Sequence, residues 1–177
     1  MLAGGSTTDD PMIQIRPARL AEIERVRDIE RRSASRFLGT ELAWLADDDP
    51  TDAPTLSDRI AQGGLLVAAE ASEPVAFVMF REVEACAYVE QIDVLPTYAG
   101  RAIGAALLEA VAATARERGL AALTLSTFRD VPFNAPYYRR LGFLEVPVLT
   151  PAMQRIRQEH EARGLDETAR LFMRRKI

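Results

Sequence analysis

Three β-rich runs follow one another between Leu65 and Leu95, with connections too short for anything but hairpins. Leu65 to Glu70, Val75 to Val83 and Cys86 to Leu95 are dense in Val, Ile, Phe and Tyr, and the gaps around Ala71 to Pro74 and at Glu84-Ala85 suit tight antiparallel turns. A chain that makes this meander commits to a sheet, and what flanks it must cover that sheet. After the third run comes a small-residue loop, Pro96 to Arg101, and then apolar residues at Ile103, Leu107, Ala110, Val111 and Thr114 mark one face of a long helix closed by Gly119.

The remaining segments extend the pattern in both directions. Met12 to Arg16 alternates and stops at Pro17, giving a first strand, and Arg19 to Phe37 follows helical spacing through Leu20, Ile23, Val26 or Ile29, Ser33 and Phe37. Gly39 to Pro54 reads as a short helix and a loop, and Leu56 to Gln62 as a helix ended by Gly63-Gly64. Ala122 to Thr127, Phe143 to Leu149 and Ala169 to Lys176 read as strands, Val131 to Leu141 and Pro151 to Arg163 as helices. The expectation is an α/β (α+β) domain, residues 12–177, with a mixed central sheet of about seven strands flanked by helices. Residues 1–11, small and polar, are expected to be a disordered tail.

Composition narrows the function. The chain has 177 residues and a net charge of −4, which argues against nucleic acid as a partner, and no apolar run reaches membrane-span length. One Cys and one His leave no His/Cys metal cluster, so no metal is expected. The lone Cys86 points to a reducing compartment, hence a cytoplasmic protein, and reads as a small core residue. His160, among charged residues, reads as a solvated surface histidine, and the acidic run Asp47 to Asp49 as a solvated loop. The Arg-rich end reads as the exposed face of a last strand.

The segment Val94 to Leu107 carries the first chemical signal. Unpaired N–H groups at the helix start, small residues around them and the helix dipole make room for an anion such as a pyrophosphate, and Arg101 adds a full positive charge. No Gly-Lys-Ser/Thr follows, and the dinucleotide fingerprint is missing. The second signal is Asn134-Ala135-Pro136-Tyr137-Tyr138-Arg139-Arg140-Leu141-Gly142-Phe143.

Together these segments resemble the GCN5-related N-acetyltransferase (GNAT) superfamily, whose loop follows Gln/Arg-x-x-Gly-x-Gly/Ala and whose later signature resembles Asn-x-x-Ala/Pro-x-x-Tyr-x-x-x-Gly-Phe. The resemblance implies acetyl-CoA as acyl donor and a primary amine as acceptor. It places the pyrophosphate on Ala99, Gly100, Arg101, Ala102, Ile103, Gly104 and Ala105, and the pantetheine arm along Ile92, Asp93 and Val94 with a hydrogen bond from Asn134. It also puts Tyr138 beside the thioester sulfur, as general acid to the thiolate. Phe37, Glu41, Trp44 and Phe128 become acceptor-side candidates, and dimerisation through late strands stays open. Ala99 stands where the family has Gln/Arg, and Ala102 where it has the first loop glycine. A positive φ at Ala102 would cost about 1–2 kcal/mol.

A base is also required, because an amine is mostly protonated at neutral pH. Strict alternation along Cys86 to Leu95 groups Tyr88, Glu90, Ile92 and Val94 on one face, and Val89, Gln91 and Asp93 on the other. Glu90, a carboxylate among apolar neighbours, is the leading base, directly or through water, with Asp93 as fallback; pairing of Glu90 with an arginine or a backbone donor is the competing role. The alternative function is a non-catalytic acyl-CoA sensor of the same fold.

Overall fold

The computed structural model describes residues 12–177; the expected tail over residues 1–11 lies outside the described residues. The chain forms β1 (Gln14–Pro17), α1 (Ile23–Ser33), α2 (Ala53–Ala61), β2 (Leu65–Glu70), β3 (Glu73–Val83), β4 (Cys86–Val94) and α3 (Ile103–Glu117). It continues with β5 (Ala122–Phe128), α4 (Ala135–Arg140), β6 (Leu144–Glu145), α5 (Pro151–Ala162) and β7 (Arg170–Lys176), with short 3₁₀ turns between. The strands form one mixed sheet in the order β1-β2-β3-β4-β5-β7-β6.

The meander β2-β3-β4 is antiparallel, as its short connections require. Both hairpins turn through two residues at positive φ, Ala71-Ser72 and Glu84-Ala85, the geometry that matches strand twist even though neither turn holds a glycine. The β4–β5 pair is parallel and therefore needs a crossover, which α3 supplies. Helix α3 buries Ile103, Leu107, Leu108, Val111, Ala112 and Ala115 against the sheet. Helix α1 buries Val26, Ile29 and Ser33. With helices on its faces, β3 is buried from Pro74 to Phe80, and it reads as a continuous apolar run.

Two elements are shorter than the sequence pattern predicts. The strand expected over Phe143 to Leu149 contracts to β6, an edge strand that ends before Pro147, which has no N–H to give to β7. The helix expected over Val131 to Leu141 contracts to α4. Pro136 lies in its first turn, where a missing N–H costs nothing, and thereby fixes the start.

Two irregularities in β4 shape the site. Met79 pairs with Gln91 and Phe80 with Val89, so Glu90 is an extra residue, a bulge. The bulge breaks the expected alternation: Glu90 accepts from Arg59 of α2, Asp93 accepts from Ser33 of α1 and from Gln91, and Ile92 lies against Gly104 of α3. Beyond it, β4 parts from β5. Their pairing runs only from Cys86–Ala122 to Val89–Leu125, so the β4 edge from Glu90 to Val94 has no strand partner on that side. A wedge opens there, between the ends of two parallel strands.

Candidate functional site

The turn from β4 into α3 forms the outer end of the wedge. Gly100 has φ +79°, and Ala102 occupies the left-handed region at φ +57°, ψ +16°, as the N-cap of α3. The conditional cost of an alanine there is thus real, about 1–2 kcal/mol of local strain. No side chain caps the helix, and its first backbone bond is from Ala106 N–H to the Ala102 carbonyl. The N–H groups of Ile103, Gly104 and Ala105 are left to face outward. A Cβ added at Gly104 would sit 3.2 Å from the Tyr137 hydroxyl, so only glycine keeps this approach open without displacement. The Arg101 guanidinium lies 4.8 Å above the Tyr98 ring and 3.5 Å from Glu70, half exposed. Tyr98 itself donates a hydrogen bond to Glu70. These contacts fit an anion of pyrophosphate size at the helix start.

Helix α4 forms the inner end. Asn134 precedes it, and its carbonyl accepts from the Tyr138 N–H at 3.0 Å. Tyr138 is buried, wedged edge-on between Tyr137 and Phe143 at centroid distances of 5.4 and 5.7 Å. Among the described residues its hydroxyl has no protein hydrogen-bond partner, and it lines a cavity of about 220 Å³. Burial pushes its pKa well above the ordinary phenol value, so the group holds its proton. Arg36 acts in the opposite direction.

Of the carboxylates that line this cavity, Glu30, Glu90 and Asp93 are each held differently. Asp93 is fully buried and accepts from Ser33 at 2.6 Å, from Arg36 at 2.9 Å and from Gln91 at 2.5 Å; burial raises its pKa against these partners. Glu90 is clamped by Arg59, with Nε at 2.5 Å and Nη2 at 2.9 Å; Arg81 Nε lies 3.2 Å away without an aligned hydrogen bond. Glu30 accepts only from the backbone N–H and hydroxyl of Thr51, at 3.0 and 3.1 Å. Burial, reinforced by the nearby Asp93 charge, pushes the pKa of Glu30 up to about 7.

Phe37 and Phe128 meet edge-on at 6.4 Å and form the aromatic wall. Glu41 and Trp44 are not on that wall, and Trp44 is exposed. Asp48 and Asp49 do line it, rather than belonging only to a solvated loop. His160 is another correction: its side chain is 13 % exposed, and its Nδ1 lies 2.9 Å from Glu167. Burial, with Arg170 and Arg163 nearby, pushes its pKa down to about 4, so at neutral pH the ring is uncharged and donates to Glu167. The ring, on the last turn of α5, is half-buried against Glu167, just before β7.

Glu30, Arg36 and Arg59 escaped the sequence reading, since an arginine or glutamate on an amphipathic helix ordinarily faces water. One signal was present. Ser33 occupies a place in the apolar stripe of α1, and its buried hydroxyl faces the one buried aspartate of β4.

A splayed mixed sheet thus joins a turn of free helix N–H groups at one end of the wedge to an acid-and-tyrosine cavity at the other. The chain matches the acetyltransferase (GNAT) family over residues 23–143, and it belongs to that family. Acetyl-CoA is accordingly its acyl donor. Solved structures share the fold. The PaiA N-acetyltransferase of Thermoplasma acidophilum, in complex with coenzyme A, superposes with a TM-score of 0.69 at 16 % identity, covering 94 % of this chain and 99 % of that one. Ard1 of Thermoplasma volcanium gives 0.68 at 18 %, over 93 % and 97 %. The ribosomal-protein-S18-alanine N-acetyltransferase of Escherichia coli gives 0.63 at 20 %, over 94 % of each.

Proposed function

We propose that the protein transfers the acetyl group of acetyl-CoA to a primary amine by direct attack. One observation carries this reading: the hydroxyl of the buried Tyr138, without a protein partner among the described residues, opens into the cavity that Glu30, Glu90 and Asp93 line. In this reading the α3 amides take the pyrophosphate, the unpaired β4 edge and Asn134 take the pantetheine arm, and the thioester lies beside Tyr138.

The amine must arrive or become neutral before it attacks. A base with a pKa near neutrality does this best. Glu30 meets that requirement. Glu90 has both carboxylate oxygens engaged by Arg59 and is not free to approach an amine. Asp93 shares its charge with Arg36. Glu30 therefore takes the amine proton, directly or through water, as nitrogen attacks the carbonyl carbon. The C–S bond then breaks, and Tyr138 gives its proton to the leaving thiolate. A backbone N–H near Val94 receives the oxyanion. The sole cysteine is a buried thiol, which supports a cytoplasmic protein.

The strained Ala102 gives some support to the second reading, a sensor that binds acyl-CoA without turnover. An acceptor screen by thiol release, run beside calorimetry with acetyl-CoA, separates the two. Acetyl-CoA-dependent thiol release with at least one amine supports the enzyme. Binding without release under any amine supports the sensor.

A further inference from the structure

The cavity beside Tyr138 has a charged pattern that amine transfer does not by itself require. Helix α5 and the turn after it, inserted between β6 and β7, bring His160, Arg163 and the first residue of β7, Arg170, into the cavity lining. Arg170 is nearly buried: its Nη2 donates to the carbonyl and hydroxyl of Ser126, each at 3.2 Å, and its Nε lies 3.1 Å from Glu167 without an aligned acceptor. Its Nη1 has no protein acceptor among the described residues. Glu167 balances Arg170, and the neutral His160 hydrogen-bonds to the same carboxylate oxygen. Arg163 is left over. No carboxylate pairs with it among the described residues, although it is near enough to Glu30 for each to sense the other's charge.

The wall of α1 is the mirror case. Among the described residues Glu30 carries a carboxylate bonded only to Thr51, with no arginine on it. Arg31, Asp48 and Asp49 also line the cavity but are exposed; deeper in, a carboxylate on Glu30 and the guanidinium N–H groups of Arg170 Nη1, with Arg163 at the rim, are complementary to a molecule bearing both charges. A lone ammonium would engage Glu30 but leave Arg170 Nη1 without an acceptor. Size agrees. The volume of about 220 Å³ falls below the range of about 300–1,000 Å³ typical of drug-sized ligands. A second cavity of about 510 Å³ adjoins it, between β4, α2 and α5, and shares Glu30, Glu90, His160 and Arg163 with it.

We infer that the acceptor is a small zwitterion of amino-acid type, whose amine faces Glu30 and Tyr138 while its carboxylate is held by Arg163 and the Nη1 of Arg170. Its side chain enters the adjoining cavity. This inference rests on the acetyl-transfer reading and adds to it the chemical class of the acceptor. Arg163 is exposed at the rim, so its replacement leaves the core intact. Arg170, packed on Phe128 at 4.7 Å, also has a structural part.

The test is a thiol-release assay with matched acceptors: the L-amino acids, their carboxamides, and the decarboxylated amines. The expected result is kcat/KM at least about ten-fold higher for one or more free acids than for the corresponding amide and amine, and collapse of that ratio toward one in Arg163→Gln. Equal or faster turnover of the uncharged analogues overturns the inference while leaving acetyl transfer standing. Discrimination unchanged in Arg163→Gln also overturns it. Thiol release with no amine at all, with acetyl-CoA still bound, overturns the transfer reading and this inference with it.

Discussion

Arg59 grips Glu90, the extra residue of the bulge in β4, through both carboxylate oxygens. The pair is mostly buried, with side-chain exposures of 14 % and 16 %. Removing the charge leaves two arginines facing an amide. Glu90→Gln is therefore expected to lower unfolding free energy by about 2–4 kcal/mol, because an unpaired buried charge costs more than the pair contributed. Chemical denaturation measures it. Loss of stability below about 0.5 kcal/mol would show that the clamp does not form in solution.

Glu30 provides the pH dependence. Its folded pKa is near 7, above the ordinary carboxylate value, so the folded state holds a proton that the unfolded chain has released. Stability from this group is full below about pH 4.3 and is lost as pH rises through about 7. Activity runs the other way, since the base must be ionised. Turnover should rise across pH 6–8 with an apparent pKa near 7, and Glu30→Gln should lower kcat by about 10²-fold, remove that limb and raise the melting temperature at pH 8. Glu90→Gln with its folded fraction corrected should keep the limb. If Glu90→Gln loses the limb and Glu30→Gln keeps it, the two roles are exchanged.

Ala102 carries strain that a glycine would relieve. Ala102→Gly removes the left-handed penalty of about 1–2 kcal/mol, offset in part by the greater freedom of glycine in the unfolded chain. A net gain of about 0.5–1 kcal/mol is expected in denaturation, together with several-fold tighter acetyl-CoA binding by calorimetry. The reverse change, Gly104→Val, adds a Cβ 3.2 Å from the Tyr137 hydroxyl and a branch into the anion turn. It should weaken acetyl-CoA binding at least about ten-fold while leaving the circular-dichroism spectrum unchanged.

Most of the architecture could be read from the chain because its signals are local. The hairpins of β2-β3-β4, the α3 crossover and the small-residue turn each depend on residues within a few positions of one another. The bulge at Glu90 could not be read, because it exists only through the register of β4 against β3. The same holds for the environment of His160: its neighbours in sequence are charged, but Arg170 and Glu167 reach it only when β7 joins the sheet. Glu30 carries no local mark either. Its burial comes from Thr51, twenty-one residues away.

Tyr138→Phe is the sharpest test of the chemistry. The hydroxyl makes no protein hydrogen bond among the described residues, while the ring packs between Tyr137 and Phe143. Phenylalanine keeps those ring contacts, so stability should change by less than about 0.5 kcal/mol. The pyrophosphate turn is on another element, so acetyl-CoA affinity should stay within about two-fold. Proton delivery to the thiolate alone is lost, which predicts a fall in kcat of about 10²–10³-fold with little change in donor KM. A thiol-release assay at saturating acetyl-CoA reads this directly. A kcat within about three-fold of the parent would mean that water or another donor protonates the thiolate, and Tyr138 would then be a wall of the wedge. A rescue pattern distinguishes these outcomes: replacing the thiolate by a less basic leaving group should restore the variant toward the parent rate only if the missing proton was the defect.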